Sequence, residues 1–315
     1  MKRREFLAAG LALALSPDAL ARQLGGSPVA LVTADLESHV VVVERTGRIA
    51  RRIRTLPGPR SIQVVGETAV VAHTDRGALT LIDTIGLGIR RVIRGLQQPR
   101  YTAASPEGRY AYVTDSGLGA LVVVDVVRGR VVGRLELGGP ARHVSLAGRT
   151  LWTALGSRAD RIAVVDVRNP VRPRLLGRVR PWFLAHDVGF APGGDRVWVT
   201  SGDRGRAAIY DRRTGKAVAR LEAGAPPQHV TFSGGRAFVT SGDDGSLRVH
   251  AARTGRLLSE ASIPTGSYNV QEGVGAVVTP SLSRGTLCIF DGRGRELSRA
   301  RVARSSHDAC LVTAA

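Results

Sequence analysis

Short apolar runs separated by polar tips recur along the chain at a near-constant interval. An apolar-x-apolar-Thr stretch places its threonine at Thr33, Thr74, Thr114, Thr153, Thr200, Thr240 and Thr279, with spacings of 41, 40, 39, 47, 40 and 39 residues. A polar tip follows, then a second apolar run ending in an acidic residue, as in Leu121-Val122-Val123-Val124-Asp125 and Ala163-Val164-Val165-Asp166. Several units then turn at a glycine, in Thr46-Gly47, Arg128-Gly129, Thr214-Gly215 and Thr254-Gly255, which suits the backbone of a tight hairpin. A third run such as 131–135 stops at a Gly/Pro break, and a fourth begins, as at 140–146 or 226–232. Apolar runs this short between turn residues read as strands, and a period of about 40 residues is that of a propeller blade.

Four strands in each of seven units predict an all-β fold, a seven-bladed β-propeller of four-stranded antiparallel blades. A single domain is expected over 23–315. The first unit opens at Val29-Ala30-Leu31-Val32-Thr33 with no fourth-type strand before it, and the last is followed by Ser306-His307-Asp308-Ala309-Cys310-Leu311-Val312. This C-terminal strand is expected to join the N-terminal blade, closing the ring and removing two exposed sheet edges.

Residues 1–22 stand outside the repeat. Lys2-Arg3-Arg4-Glu5-Phe6-Leu7, the apolar stretch Ala8 to Leu15, and Ala19-Leu20-Ala21 give a charged head, a short apolar middle and a small-residue cleavage site. The arginine pair with Phe-Leu behind it resembles the twin-arginine export signal, with Lys2 where that signal usually has Ser or Thr. The resemblance implies an exported protein, periplasmic or extracellular, whose mature chain starts near Arg22. No other apolar run is long enough for a transmembrane helix.

A formal net charge of +19 would suit a polyanionic partner. The distribution argues otherwise. Nearly all the basic side chains are arginines scattered through every unit, with lysine only at Lys2 and Lys216, and no basic run interleaves with aromatics to make a base-stacking platform. Nucleic acid is therefore set aside as a partner, and a monomer is expected. Cys288 and Cys310 fall on non-adjacent strands of different blades, too far apart for a bridge, and read as two buried thiols.

Tyr112-Val113-Thr114-Asp115, the run 121–125 and Gly138-Gly139-Pro140 together resemble the YVTN-type repeat of bacterial surface and periplasmic propellers. Ala104-Ser105-Pro106-Glu107-Gly108-Arg109 and Ala191-Pro192-Gly193-Gly194-Asp195 match the Ser-Pro-Asp-Gly turn before its YVTN strand. The resemblance spans almost the whole mature chain. It implies the WD40-like propeller fold and leaves function open among binding proteins, lactonase-like enzymes and cofactor carriers.

Within this repeat most chemical motifs become turns. Glu44, Asp83, Asp125, Asp166, Asp211 and Asp291 close the second run once per blade, with His250 in that slot in blade six. A carboxylate so placed caps backbone N–H groups of the next turn. Gly242-Asp243-Asp244-Gly245 and Gly202-Asp203-Arg204-Gly205 fall on equivalent tips and read as turns too. No nucleophile elbow, Cys-x-x-Cys pair, phosphate loop or dinucleotide fingerprint occurs.

One column varies from blade to blade. Where each inter-blade connection enters the innermost strand stand Arg60-Ser61, Arg100-Tyr101, Arg142-His143, His186-Asp187, Gln228-His229, Tyr268-Asn269 and His307-Asp308. They predict a polar ring at one mouth of the axial channel, where convergent polar groups make a ligand site. Arg60, Arg100 and Arg142 suit a small carboxylate or phosphate. His186, His229 and His307 are candidates for a divalent metal, and His186 or His307 for a general base. Tyr101, His143, Asp187, Tyr268, Asn269 and Asp308 complete the candidate set. Adjacent strand residues point to opposite faces, so His186 and Asp187 need not form a dyad, nor His307 and Asp308. In the long fourth connection, Trp182 is expected to fill a gap between blades four and five or to fold over the mouth.

The reading that leads is an exported propeller that binds a small anion, a metal or a protein at this mouth. A hydrolase or isomerase resembling the seven-bladed lactonases is the alternative. Gly139-Pro140-Ala141-Arg142-His143 is similar to that group's Gly-Pro-Arg-His stretch, with Ala141 inserted and the acidic signature not evident. A copper or haem carrier is a third possibility, without a Cys-x-x-Cys-His attachment.

Overall fold

The computed structural model describes residues 26–156 and 161–313. The export signal expected at 1–22 lies outside them. Seven sheets of four antiparallel strands stand around a central axis, and each blade runs from the axis outward in sequence order. The first blade is the exception. Its innermost strand is Ala309–Thr313, which pairs with Pro28–Ala34, with Leu31 opposite Cys310. The ring is thus closed by the C-terminal strand, as the orphan run predicts.

The two middle strands of a blade are mostly buried because each face meets a neighbouring blade. Along the first of these, Val29 and Leu31 pack on Ile62, Ala69 and Val71 of blade two, while Ala30 and Val32 pack on Val278 and Ile289 of blade seven. Alternation with period two divides one strand between two cores. Every junction has such a core. Outermost strands carry arginine instead, as in Ile49–Arg54 and Ile89–Arg94. In all seven blades a β-bulge shifts the register between the third and outermost strands, adding twist where the wedge-shaped blade broadens.

The turn reading of the repeated acids holds for most of them. Asp125 accepts from the N–H groups of Val127 and Arg128, and Asp211 from those of Arg213 and Thr214. Glu44 instead reaches the Arg48 guanidinium. Cys288 and Cys310 are buried and free. Trp182 lies between blades four and five against Phe183 and Tyr210, under the Arg220 guanidinium.

A second bond set crosses every junction near the axis. The carbonyl of the residue entering each innermost strand accepts a hydrogen bond from the preceding blade. Thr33 donates to Arg60 O, Thr114 to Arg142 O, Thr200 to Gln228 O and Thr240 to Tyr268 O. Ser61 donates to Arg100 O, His143 Nδ1 to His186 O, and Asn269 to His307 O. In blade two the alignment slides. Thr74 sits in a 3-10 turn beyond its strand, Ala72 takes the register position, and Ser61 substitutes as donor.

In four blades the repeated threonine is therefore an inter-blade clasp. Thr200 Oγ1 also accepts from the Asp187 N–H at 3.2 Å, so one hydroxyl joins its own innermost strand to the next. Thr200→Val keeps shape and strips both bonds from a buried site. It should destabilise the protein by about 1–3 kcal/mol, measured by chemical denaturation, and an unchanged midpoint would remove the clasp from the account.

Candidate functional site

The first residue of each hub pair faces the mouth. A cavity of about 320 Å³ is lined by Arg60, Arg100, Arg142, His186, Gln228, Tyr268 and His307, the complete first column. A second cavity of about 250 Å³ lies deeper along the axis and takes Asp187 and Asp308 into its wall. Tyr101, His143, His229 and Asn269 line both. These four side chains form a collar across the channel. Ser61 borders neither cavity and serves as a clasp.

Two local irregularities aim the mouth residues. His186 is the extra residue of a β-bulge between the pairs Ala185↔Ser201 and Asp187↔Thr200. Arg100 and Tyr101 oppose Thr114 in a second bulge, between Pro99↔Asp115 and Thr102↔Val113. Bulges re-aim side chains, here toward the axis. Glycine makes the room. A Cβ at Gly202 would stand 2.5 Å from His186 Nδ1, and one at Gly242 would stand 2.4 Å from the Tyr268 ring.

Charge is divided across the mouth. Arg60, Arg100 and Arg142 share one arc, and none of them makes an ion pair among the described residues. Burial, then Arg142 and Arg60, hold the Arg100 guanidinium below its ordinary value. Arg100 keeps one side-chain bond, Nε to Ser116 Oγ at 2.9 Å. Opposite stands Asp243, exposed at the rim, accepting from Gln228 Nε2 and the Tyr268 hydroxyl at 3.3 Å each. Asp243 and Gly202, read from sequence as turn residues alone, border the cavity, and so does Leu282.

The buried acids serve the inner wall. Asp187 Oδ2 accepts from the Val230 N–H of the next blade and lies 3.3 Å from His229 Nδ1. Asp308 accepts from the N–H groups of Ile62 and Ala309 and from Gln271 Nε2. Burial raises the Asp308 carboxyl to about 7 against those bonds. His186 and His307 thus have no acidic partner beside them in the hub pair, as strand alternation predicts.

Histidine placement differs from the sequence grouping. His143, His186 and His229 bring ring nitrogens within 4.8 Å of one another. His307 stands outside this trio, where its Nδ1 faces the Asn269 amide at 3.0 Å and the backbone carbonyl of Arg60 also holds it. Tyr101 stacks on His143 with ring centroids 3.8 Å apart. Burial, helped by neighbouring imidazoles and guanidiniums, holds His143, His186 and His307 well below the ordinary imidazole value.

No protein-family model matches the chain, and no curated protein matches it. Solved structures do. Apo AztD from Citrobacter koseri superposes with a TM-score of 0.72 at 10% identity, over 91% of this chain and 98% of its own. A functionally unknown protein from Desulfotomaculum acetoxidans gives 0.78 at 10% identity, over 91% and 99%. The dihydro-heme d1 dehydrogenase NirN in complex with DHE gives 0.63 at 18% identity, over 87% of this chain and 63% of that one. The chain shares the β-propeller fold with these neighbours. At such identities the likeness is one of fold. No described helix is long and apolar enough to cross a membrane.

The neutral imidazoles tie stability to pH. Burial lowers the folded-state values of His73, His143, His186, His250 and His307. Below the unfolded value of about 6.5 the unfolded chain therefore binds more protons, and stability falls on acidification. Asp308 has the opposite sign. Its raised value favours the folded state as pH drops from about 7 towards the unfolded carboxylate value, but it is one group against five. The melting temperature should fall as metal-free protein is taken from pH 7.5 to pH 5. A flat profile would mean that these imidazoles titrate normally in the folded state.

Proposed function

We propose that the protein is an exported binding propeller that holds a small anionic ligand at the hub mouth. The observation that carries this reading is the arc of Arg60, Arg100 and Arg142, partly buried around one cavity and in no ion pair among the described residues. Clustering three cations costs energy through mutual repulsion, and a bound carboxylate or phosphate would turn that cost into attraction. Planar guanidiniums offer it paired donors. Arg100 and Arg142 also border an adjoining groove of about 630 Å³, which gives a ligand room to extend over the mouth.

Binding is favoured over proton transfer because Asp187 and Asp308 serve the inner cavity, away from the mouth. Export rests on Arg3-Arg4-Glu5-Phe6-Leu7 and the apolar stretch behind it. The resemblance of Tyr112-Val113-Thr114-Asp115 to the YVTN-type repeat of surface and periplasmic propellers agrees with that address. NirN, whose chain superposes in part on this propeller, is known in complex with DHE, which is in keeping with a ligand-binding reading.

Isothermal titration of the mature chain with citrate and with inorganic phosphate tests the site. Arg100→Ala should weaken binding about tenfold to a hundredfold, the worth of one charge-assisted bond of roughly 1.5–3 kcal/mol, and leave the fold intact. Equal binding by wild type and variant would remove the arginine arc from the reading. Replacing Arg3 and Arg4 together by lysine should trap the precursor inside the cell, seen by fractionation and blotting. Normal export of that variant would exclude the twin-arginine route.

A further inference from the structure

We propose that His143, His186 and His229 form a three-nitrogen site for a divalent transition-metal ion at the floor of the mouth. The inference deepens the anion-binding reading, since both concern one cavity, but it rests on different side chains.

His143 supplies the firmest argument. Its Nδ1–H donates to His186 O at 2.6 Å, which leaves Nε2 with the lone pair. That Nε2 is buried and has no hydrogen-bond partner among the described residues, in a side chain only 3% exposed. A buried polar atom without a partner costs about 1–3 kcal/mol, and a metal ion would satisfy it. His229 is prepared in the same manner. Its Nδ1 faces Asp187 Oδ2 at 3.3 Å, and that carboxylate is itself held by the N–H groups of Val188 and Val230. A ligating histidine typically commits its second nitrogen to a carbonyl or carboxylate, which fixes the ring and exposes the other lone pair. Both of these rings are fixed in that way.

His186 is the adjustable member. It is half-buried on its bulge, has no side-chain hydrogen bond among the described residues, and lies over the space left by Gly202. Zinc–nitrogen bonds of about 2.0–2.1 Å in a tetrahedron require donor atoms about 3.3 Å apart. One ring nitrogen from each residue lies within 4.8 Å of the others, so the set must draw together to hold an ion, and His186 is the ring with freedom to move. Imidazole donors suit zinc, copper(II) or nickel, whereas magnesium and calcium prefer oxygen ligands. Three histidines leave a coordination position open, in a cavity that the arginine arc also lines. A bare dication would be repelled there, so the metal and an anion should support each other.

The test uses full-length mature protein stripped of metal with EDTA, titrated with Zn²⁺ by calorimetry and with Co²⁺ by visible absorption. One ion per chain is expected, with the intense absorption of a low-coordinate nitrogen site. His186→Ala breaks no hydrogen bond and should weaken zinc at least tenfold. Gly202→Ala keeps all three donors but displaces the His186 ring, and should weaken zinc by a smaller factor. His39→Ala, remote from the cavity, should change nothing. Arg100→Ala separates the two readings, because it should weaken citrate while zinc binds as well as before or tighter. The proposal fails if wild type takes up no ion at millimolar zinc. It fails equally if His186→Ala, folded by circular dichroism, binds zinc as wild type does.

Discussion

Seven carbonyl oxygens around the axis each need a donor from the blade before them, and the rest of the ring depends on that condition being met. The innermost strands lie too far apart around the channel to pair with one another, so no sheet ladder can join blade to blade there. Side chains do it instead. In four blades the donor is the threonine of the second strand, and in three it is Ser61, His143 or Asn269. The apolar cores between blades contribute more area, but apolar contact is not directional. The clasps set how one blade is rotated against the next.

Because different residues can meet the same condition, the hub column is free to vary. Once a threonine supplies the clasp, the residues of the hub pair can serve the channel. In blade three, Thr114 holds Arg142 O, and Tyr101 is free to stack in the collar. In blade four His143 both clasps with Nδ1 and presents Nε2 to the trio. Structure and candidate chemistry share one imidazole there, so function cannot be assigned by asking whether a histidine is structural.

The fold was legible because propeller periodicity is carried by many redundant local signals. Apolar alternation, turn glycines and the repeated acids each report the same 40-residue unit, and even the misplaced Thr74 did not disturb the count. The site was legible only as a column. Sequence position placed all seven hub pairs at the axis, with the first member of every pair on the mouth cavity and only Asp187 and Asp308 confined to the other. Grouping within the column was not available, since His307 and His143 differ in role through a partner, Asn269, contributed by a neighbouring blade. Asp243 and Gly202 escaped notice because a glycine-aspartate tip looks the same whether it faces solvent or the mouth. Their signal was positional. Both sit one or two residues beyond the threonine-bearing strand, at the same end as the hub pairs.

The closing strand orders events in time. The partner of Pro28–Ala34 is made almost three hundred residues after it, and Asp308, which holds the Ile62 N–H of blade two, comes equally late. During synthesis the first blade must wait, its inner edge open, while six others are made and stacked. An interrupted chain therefore carries a permanent gap where a complete one has a seam, which gives a quality-control system a simple feature by which to tell the two apart.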